Sequence, residues 1–408
     1  MESLWEGGQR LSAMLTLEEA WDRLLALAPR MPVVESATSD IAPHYLAEDL
    51  KAQRTQPPAD LSAMDGYAIS GAGPWQRIGE SRAGAPFEGA LSDGQCTRIS
   101  TGAWMPSGAD RVLIQENAEV DRDTVRLAEG EALPVHDQHV RKRGFDFEQG
   151  DTVLKAGALL GPAQRALAIA AGHDTLMHFE PPAMSILDSG DELAKRASEC
   201  GPHQIPASNG PMIAAMLAPW TQAITPLGPV PDDRGALAQA LAQANTPILI
   251  TSGGASVGDH DLIQRGLRDW GAELDFWKVA IKPGKPLMVA TKEHDWGRQV
   301  ILGLPGNPVS SFVTAFLFAL PLVRAAMGDP DPLPKPRMCT LTQDLPANGK
   351  RREFLRAIVE GDSVRLAGSQ DSSALVALAA ANALIDRPAG ADPVRAGDRV
   401  PVYKLQNG

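Results

Sequence analysis

The chain has 408 residues, 44% of them hydrophobic and 22% charged, with a formal net charge of -12 at pH 7 and a pI near 5.2. That length exceeds what one hydrophobic core organises, so about two to four domains are expected, and the composition excludes a disordered chain. The acidic balance argues against nucleic acid or an anionic membrane as partner, so any anionic ligand must be held by local cations.

In chain order, Leu15 to Leu27 has apolar residues at helical spacing, with Thr16 and Glu19 placed as a capping box. Its charged residues Glu18, Glu19, Asp22 and Arg23 interrupt the apolar core that a signal peptide needs, so a cytoplasmic location is expected. Cys96, Cys200 and Cys339 are widely spaced, which predicts neither a disulfide framework nor a zinc finger. The prolines of Gln56-Pro-Pro stiffen the approach to Asp65-Gly66, which turns the chain into a run of short strands reaching Asp146. Within that run Thr101 opens a long loop, either as a presented hydroxyl or as an ordinary turn residue. Arg141, Lys142 and Arg143 beside Asp146 read as a solvated face or an anion contact. Leu159 to Ala171, with Pro162 in its first turn, predicts a helix.

Beyond residue 180 a single design recurs. Met184–Leu187 runs into Asp188-Ser-Gly-Asp-Glu-Leu193, Ile248–Ile250 into Thr251-Ser-Gly-Gly-Ala-Ser-Val-Gly-Asp-His-Asp261, and Val300–Leu304 into Pro305-Gly-Asn-Pro-Val-Ser310. Intervening helices are predicted near Pro211–Leu217 and Ala236–Ala244. Strands alternating with helices give a mostly parallel sheet, whose ligands bind beyond the carboxyl ends of the strands. The glycine loops are therefore expected at one sheet border. Gly253, Gly254 and Gly258 let a phosphate approach bare amides, whereas Asp259 and Asp261 in the same loop would repel it unless a cation lies between. Alternatively, Asp259 is only a helix cap. Lys282 and Lys285 of Ile281-Lys-Pro-Gly-Lys-Pro286 would neutralise phosphate oxygens. The apolar stretch Phe312 to Met327 is short for a membrane span and contains Pro321, so it reads as a buried helix. Proline-rich Gly328–Pro336 marks a boundary, and short strands beyond it predict a small β domain with Lys350, Arg351, Arg352 and Ser369–Ser373 as its polar concentration.

The motifs SAMDGYA, TGAWMPSGAD, SGDEL, TSGGASVGDHD, IKPGKP, LPGNPVSSF and AANALIDRP, in this order over nearly the whole chain, resemble the molybdopterin molybdenumtransferases, including the E domain of gephyrin. The resemblance implies a multidomain α/β plus β protein: an α/β domain of molybdopterin-binding type with a mostly parallel sheet, a β-barrel-like insert and a small C-terminal β domain. Expected boundaries are a helix in 1–30 packed on the α/β domain, a discontinuous segment of 31–50 and 147–180, the insert in 51–146, the α/β domain in 181–328 and the β domain in 329–408. The implied activity is insertion of molybdate into adenylated molybdopterin with release of AMP, dependent on Mg2+ and carried out by a homodimer. Further implied partners are the upstream adenylyltransferase and the downstream molybdoenzymes, with no nucleic acid and no membrane.

Carried over by motif, the catalytic set is Asp65, Thr101, Asp146, Glu192, Asp232, Asp261, Lys278 and Lys282. The binding set is Gly253, Gly254, Ser256, Gly258, Lys285, Pro305, Gly306, Asn307, Ser310, Arg351 and Ser372, and the metal set is Glu192, Asp259 and Asp261. The chain departs from the family pattern at Ser189, where threonine is usual, and at Asp371, where a glycine is usual beside the proposed oxyanion contact Ser372. Two other functions use the same motifs: the preceding adenylyl transfer, and a non-catalytic scaffold.

Overall fold

Thr16 starts the first helix as its spacing predicts: its hydroxyl accepts from the Glu19 amide, and the Glu19 carboxylate accepts from the Thr16 amide at 2.8 Å. The computed structural model describes residues 14–40, 44–253, 262–276 and 278–405. They fall into two units, one within residues 35–42 and 48–177, the other within residues 14–34, 44–47 and 178–405.

In the first unit, strands β1 (Gly66–Ile69), β2 (Trp75–Ser81), β3 (Gln95–Ile99), β4 (Arg111–Ile114), β5 (Ala118–Asp121) and β6 (Thr124–Leu127) make a six-stranded sheet in the order β4-β1-β3-β2-β6-β5. Trp75 is fully buried in its core with Tyr67, Ile69 and Leu113. The cationic run after Val140 is largely consumed within this unit. Lys142 pairs with Asp60 at 2.9 Å and with Asp137, so it serves the fold rather than an anion. The expected helix covers Pro162–Ala170, with Pro162 in its first turn.

The second unit begins with α1 (Leu17–Ala26). It then alternates β7 (Ala183–Ser189), α2 (Asn209–Leu217), β8 (Ala223–Val230), α3 (Arg234–Gln243), β9 (Ile248–Ser252) and α4 (Leu262–Asp269). β10 (Glu273–Phe276), the short β11 (Ile281–Lys282), β12 (Met288–His294), β13 (Gly297–Leu304) and α5 (Pro308–Thr314) follow. The sheet order is β8-β7-β9-β13-β12-β10, parallel from β8 to β13 and antiparallel in its last two pairings. Every residue of β9 is buried because both faces are covered. Ile248 and Ile250 pack with Ile213 and Val309 on one side, and Leu249 packs with Leu237, Leu241 and Ile263 on the other.

Pro308–Ala326 is long and apolar enough to cross a membrane, yet 89% of its 18-residue apolar window is buried inside the protein, in line with the buried helix expected from the sequence. Its middle, Ala315–Ala319, widens into a π turn just before Pro321. Proline has no N–H for the carbonyl of Leu317 four residues earlier. The indole Nε1 of Trp21 donates to that carbonyl at 2.7 Å, so α1 docks where the long helix is short of a donor.

Past the linker, β14 (Arg337–Leu341), β15 (Arg352–Glu360), β16 (Ser363–Leu366), β17 (Ala383–Arg387) and β18 (Arg399–Lys404) form a closed ring, because β15 pairs with both β16 and β17. β11 joins this ring rather than the α/β sheet: Ile281 and Lys282 lie parallel to Arg352 and Glu353. The closing pairs are distant in sequence, which is why only a series of short strands is legible there.

Candidate active site

The glycine loops meet. Gly253 has φ +97°, and a Cβ on it would lie 2.5 Å from the carbonyl of Ser189, while a Cβ on Gly306 would lie 3.6 Å from the Gly253 Cα. Neighbouring loops are thus in backbone contact at the carboxyl ends of β7, β9 and β13, a closeness that glycine alone permits at Gly253. Asn209 fastens them: its amide nitrogen donates to Ser252 Oγ at 2.9 Å and to Gly306 O at 2.7 Å. Gly254, Ser256, Gly258, Asp259 and Asp261 lie outside the described residues.

Around this junction the unit carries two neighbouring cavities, both bordered by Pro286. The first, about 570 Å³, is walled by Lys282, Lys285 and Ser310 from the α/β domain and by Arg351, Asp371 and Ser372 from the C-terminal ring. Its two walls are stitched by the β11–β15 ladder and by Arg351 Nη1 donating to Ile281 O at 3.3 Å. Ser372 is held by Asn307 Nδ2 donating to its Oγ at 3.2 Å and by the Val309 amide donating to its carbonyl at 3.2 Å. The loop before it hangs on a buried arginine: Arg356 Nη2 donates to Ser369 O at 2.8 Å and to Asp371 O at 3.0 Å. Burial pushes the Arg356 guanidinium below its ordinary pKa, so these carbonyl contacts carry the cost of its charge.

Two features of this cavity escaped sequence reasoning. Glu353, only 15% exposed, forms an ion pair with Lys282 and offsets one of the cavity's cations. Asp371 turns its carboxylate back to accept from the Ser373 amide at 2.9 Å and from the Ser373 hydroxyl, which lower its pKa. Its negative charge is therefore spent locally. Arg352, by contrast, belongs to the fold, joined to Asp386 with Nε at 2.7 Å and also to Glu18.

The second cavity, about 650 Å³, is lined by Asp188, Ser189, Glu192, Asn209, Pro305, Gly306 and Asn307 among others. Asp191 accepts from the Asp232 amide at 3.0 Å, which brings Asp232 beside the Glu192 loop. Asp188, 8% exposed, is the residue missed here; burial raises its carboxyl to about 6. Its place at the carboxyl end of a strand, just before Ser189-Gly190, was the available signal. Lys278 lies on the α1 side, its carbonyl accepting from the Leu15 amide at 3.0 Å. Among the described residues no three His, Cys, Asp or Glu side chains form a group able to hold a metal ion, so Glu192 stands as the described member of the expected metal set.

In the other unit, Asp65 accepts from the Thr101 amide at 2.7 Å and the Thr101 hydroxyl at 3.1 Å; the amide hydrogen bond lowers its pKa most. These two form one local site. Asp146 sits in an exposed turn whose amide donates to Gln56 O at 3.0 Å.

Three family models match in succession: the MoeA N-terminal region (domain I and II) over residues 15–172, a probable molybdopterin binding domain over 185–325, and the MoeA C-terminal region (domain IV) over 339–405. A molybdopterin molybdenumtransferase of Haemophilus influenzae is 32% identical over 89% of this chain and 92% of its own length. The chain belongs to the molybdopterin molybdenumtransferase family. A second member of that family, from Staphylococcus aureus, is 29% identical over 96% of both chains. Among solved structures, a molybdopterin biosynthesis MoeA protein from Pyrococcus horikoshii superposes with a TM-score of 0.77 at 26% identity, covering 96% of this chain and 99% of the other. The α/β domain, the β-rich insert and the C-terminal β domain are those of a molybdenumtransferase.

Proposed function

We propose that the protein is a transferase of molybdenum cofactor biosynthesis that places molybdenum from molybdate on the dithiolene of adenylated molybdopterin and releases AMP. The observation that carries this reading is the first cavity. In a chain of net charge -12, Lys282, Lys285 and Arg351 converge with the hydroxyl-bearing Ser310 and Ser372, a donor set suited to a tetrahedral oxyanion. The shared wall from the C-terminal ring favours insertion over the preceding adenylyl transfer, which needs no such wall.

In this reading Lys282, Lys285 and Arg351 hold molybdate, with Ser310 and Ser372 fixing its orientation. The amides of the Gly253–Gly258 loop and of Gly306 and Asn307 receive the phosphates, with Pro305 and Ser256 beside them. Lys278 supports the same charge, and Asp232 and Asp146 position the adenylated substrate. Glu192, Asp259 and Asp261 offer oxygen donors alone, which suits Mg2+, and the bound ion would polarise the phosphoanhydride. Water then cleaves that anhydride, leaving the pterin phosphate and AMP. The active form is a cytoplasmic homodimer in which the partner subunit contributes Asp65 and Thr101. The upstream adenylyltransferase delivers the substrate and molybdoenzymes receive the product.

The test is single-turnover release of AMP from adenylated molybdopterin with molybdate and Mg2+. Asp261→Asn should remain folded and release AMP at least about a hundredfold more slowly, the scale of losing a charge-stabilising group. Unchanged release would remove Asp261 from the mechanism, and absence of molybdenum insertion by the unaltered protein would overturn the function.

A further inference from the structure

The second cavity is lined by two residues that each carry a polar atom without a hydrogen-bond partner, while the Asp188 carboxylate also accepts from the Gly210 amide. Asp188 Oδ1 and Ser189 Oγ are both buried and make no hydrogen bond, although their residues are 8% and 6% exposed and both line the cavity. Buried acceptors are rarely left unpaired in a folded protein, and an orphaned carboxylate oxygen is the costliest kind. The local fold accounts for the other carboxylate oxygen. Asp188 Oδ2 packs on Gly210 in the first turn of α2, where a Cβ would come within 2.2 Å of it. The positive end of the helix favours a carboxylate there, and the Ser208 side chain does not cap the helix. The rest of the carboxylate remains for whatever fills the cavity.

The surroundings narrow what that is. Glu192, an expected Mg2+ ligand, lines the same cavity, and among the described residues no three acidic, histidine or cysteine side chains form a metal-holding group that includes Asp188. The cavity also presents Leu193, Pro206, Pro305 and Leu375, apolar surfaces that suit the faces of a flat ring. A flat heterocycle with two parallel N–H donors on one edge matches a carboxylate bidentately, as a guanidinium does. The pteridine of a pterin has such an edge, formed by its N3–H and 2-amino group.

We infer that Asp188 is a specificity-determining residue that reads the 2-amino, N3–H edge of the substrate's pterin ring in this second cavity, with the Ser189 hydroxyl beside it. The inference rests on the proposed function and extends it: the oxyanion cavity takes molybdate and its neighbour takes the ring. A ring with oxygen in place of the 2-amino group sets an acceptor against the carboxylate and is rejected, because the buried acid would then face a lone pair.

The test compares 6-hydroxymethylpterin with 6-hydroxymethyllumazine, which differ in that 2-amino for 2-oxo exchange and the N1–H that accompanies it, by calorimetric titration of the full chain. The unaltered protein should bind the pterin at least about tenfold more tightly. An asparagine at this position would offer one donor and one acceptor, matching the lumazine edge, so Asp188→Asn should abolish or reverse the preference. Equal affinities in the unaltered protein, binding of neither compound, or an Asp188→Asn variant that weakens both in the same proportion would each overturn the inference. So would a variant that changes Mg2+ affinity and leaves the ratio intact, since Asp188 would then be a metal ligand. Molybdenum insertion measured on the same preparation separates the two readings. Insertion without ring preference removes Asp188 alone, whereas ring preference without insertion removes the function and leaves the ring site.

Discussion

Replacing Asp188 by asparagine should stabilise the ligand-free protein, and the gain should depend on pH in a prescribed direction. Burial raises this carboxyl from 3.8 to about 6, so the folded state binds its proton more tightly than the unfolded chain does. Stability therefore rises as pH falls from about 6 towards about 4, and above that window the folded protein bears the whole cost of a buried charge. A gap of roughly two pH units at 1.36 kcal/mol each amounts to about 3 kcal/mol. Asparagine keeps the shape and has no proton to lose. The difference between Asp188→Asn and the unaltered protein should thus be larger at pH 8 than at pH 4 by most of that amount, about 2 kcal/mol. Urea unfolding followed by tryptophan fluorescence across that range measures it. A difference that stays flat with pH, or that grows as the solution is acidified, would refute the account of Asp188 as a buried carboxylate with one oxygen unpaired.

Three further outcomes follow from particular contacts. Glu353→Gln releases Lys282 from its ion pair, so the KM for molybdate should fall severalfold, the scale of a partly exposed charge pair; a rise would show that Glu353 positions the lysine for binding. Trp21→Phe leaves the carbonyl of Leu317 without the indole donor and should cost about 1–3 kcal/mol in urea unfolding; no loss would mean that water replaces the indole. Inactive Asp65→Ala and Asp261→Asn protomers, mixed and allowed to exchange, should regain part of the insertion activity if the partner subunit supplies Asp65. Heterodimers that form and stay inactive would count against that arrangement.

Local signals in the sequence carried most of the architecture. The capping box of Thr16 and Glu19 is made by residues three apart, and the buried run of Ile248–Ile250 is readable because a strand covered on both faces has no polar alternation. The meeting of the glycine loops followed from strand–helix alternation, which forces parallel strands to present their carboxyl ends together. Long-range pairings were not legible. Lys142 read as part of a solvated face or an anion contact, and Asp60, 82 residues away in sequence, holds it instead; Lys282 read as a phosphate contact, and the β11–β15 ladder sets Glu353 beside it. Asp188 read as the first residue of a glycine loop, since nothing in its neighbours indicates that it still belongs to the strand, with its carboxylate buried and one oxygen left unpaired.

The splice between Ile281–Lys282 and Arg352–Glu353 has a mechanical meaning. Main-chain bonds tie Lys282 to the strand that follows Arg351, so this side of the socket is held by sheet pairing rather than by a loose connection. A stiff socket sorts guests by radius and charge and is blind to whatever else distinguishes them. Molybdate and tungstate share both properties, so on the proposed function the choice between them falls to supply or to later steps rather than to this chamber.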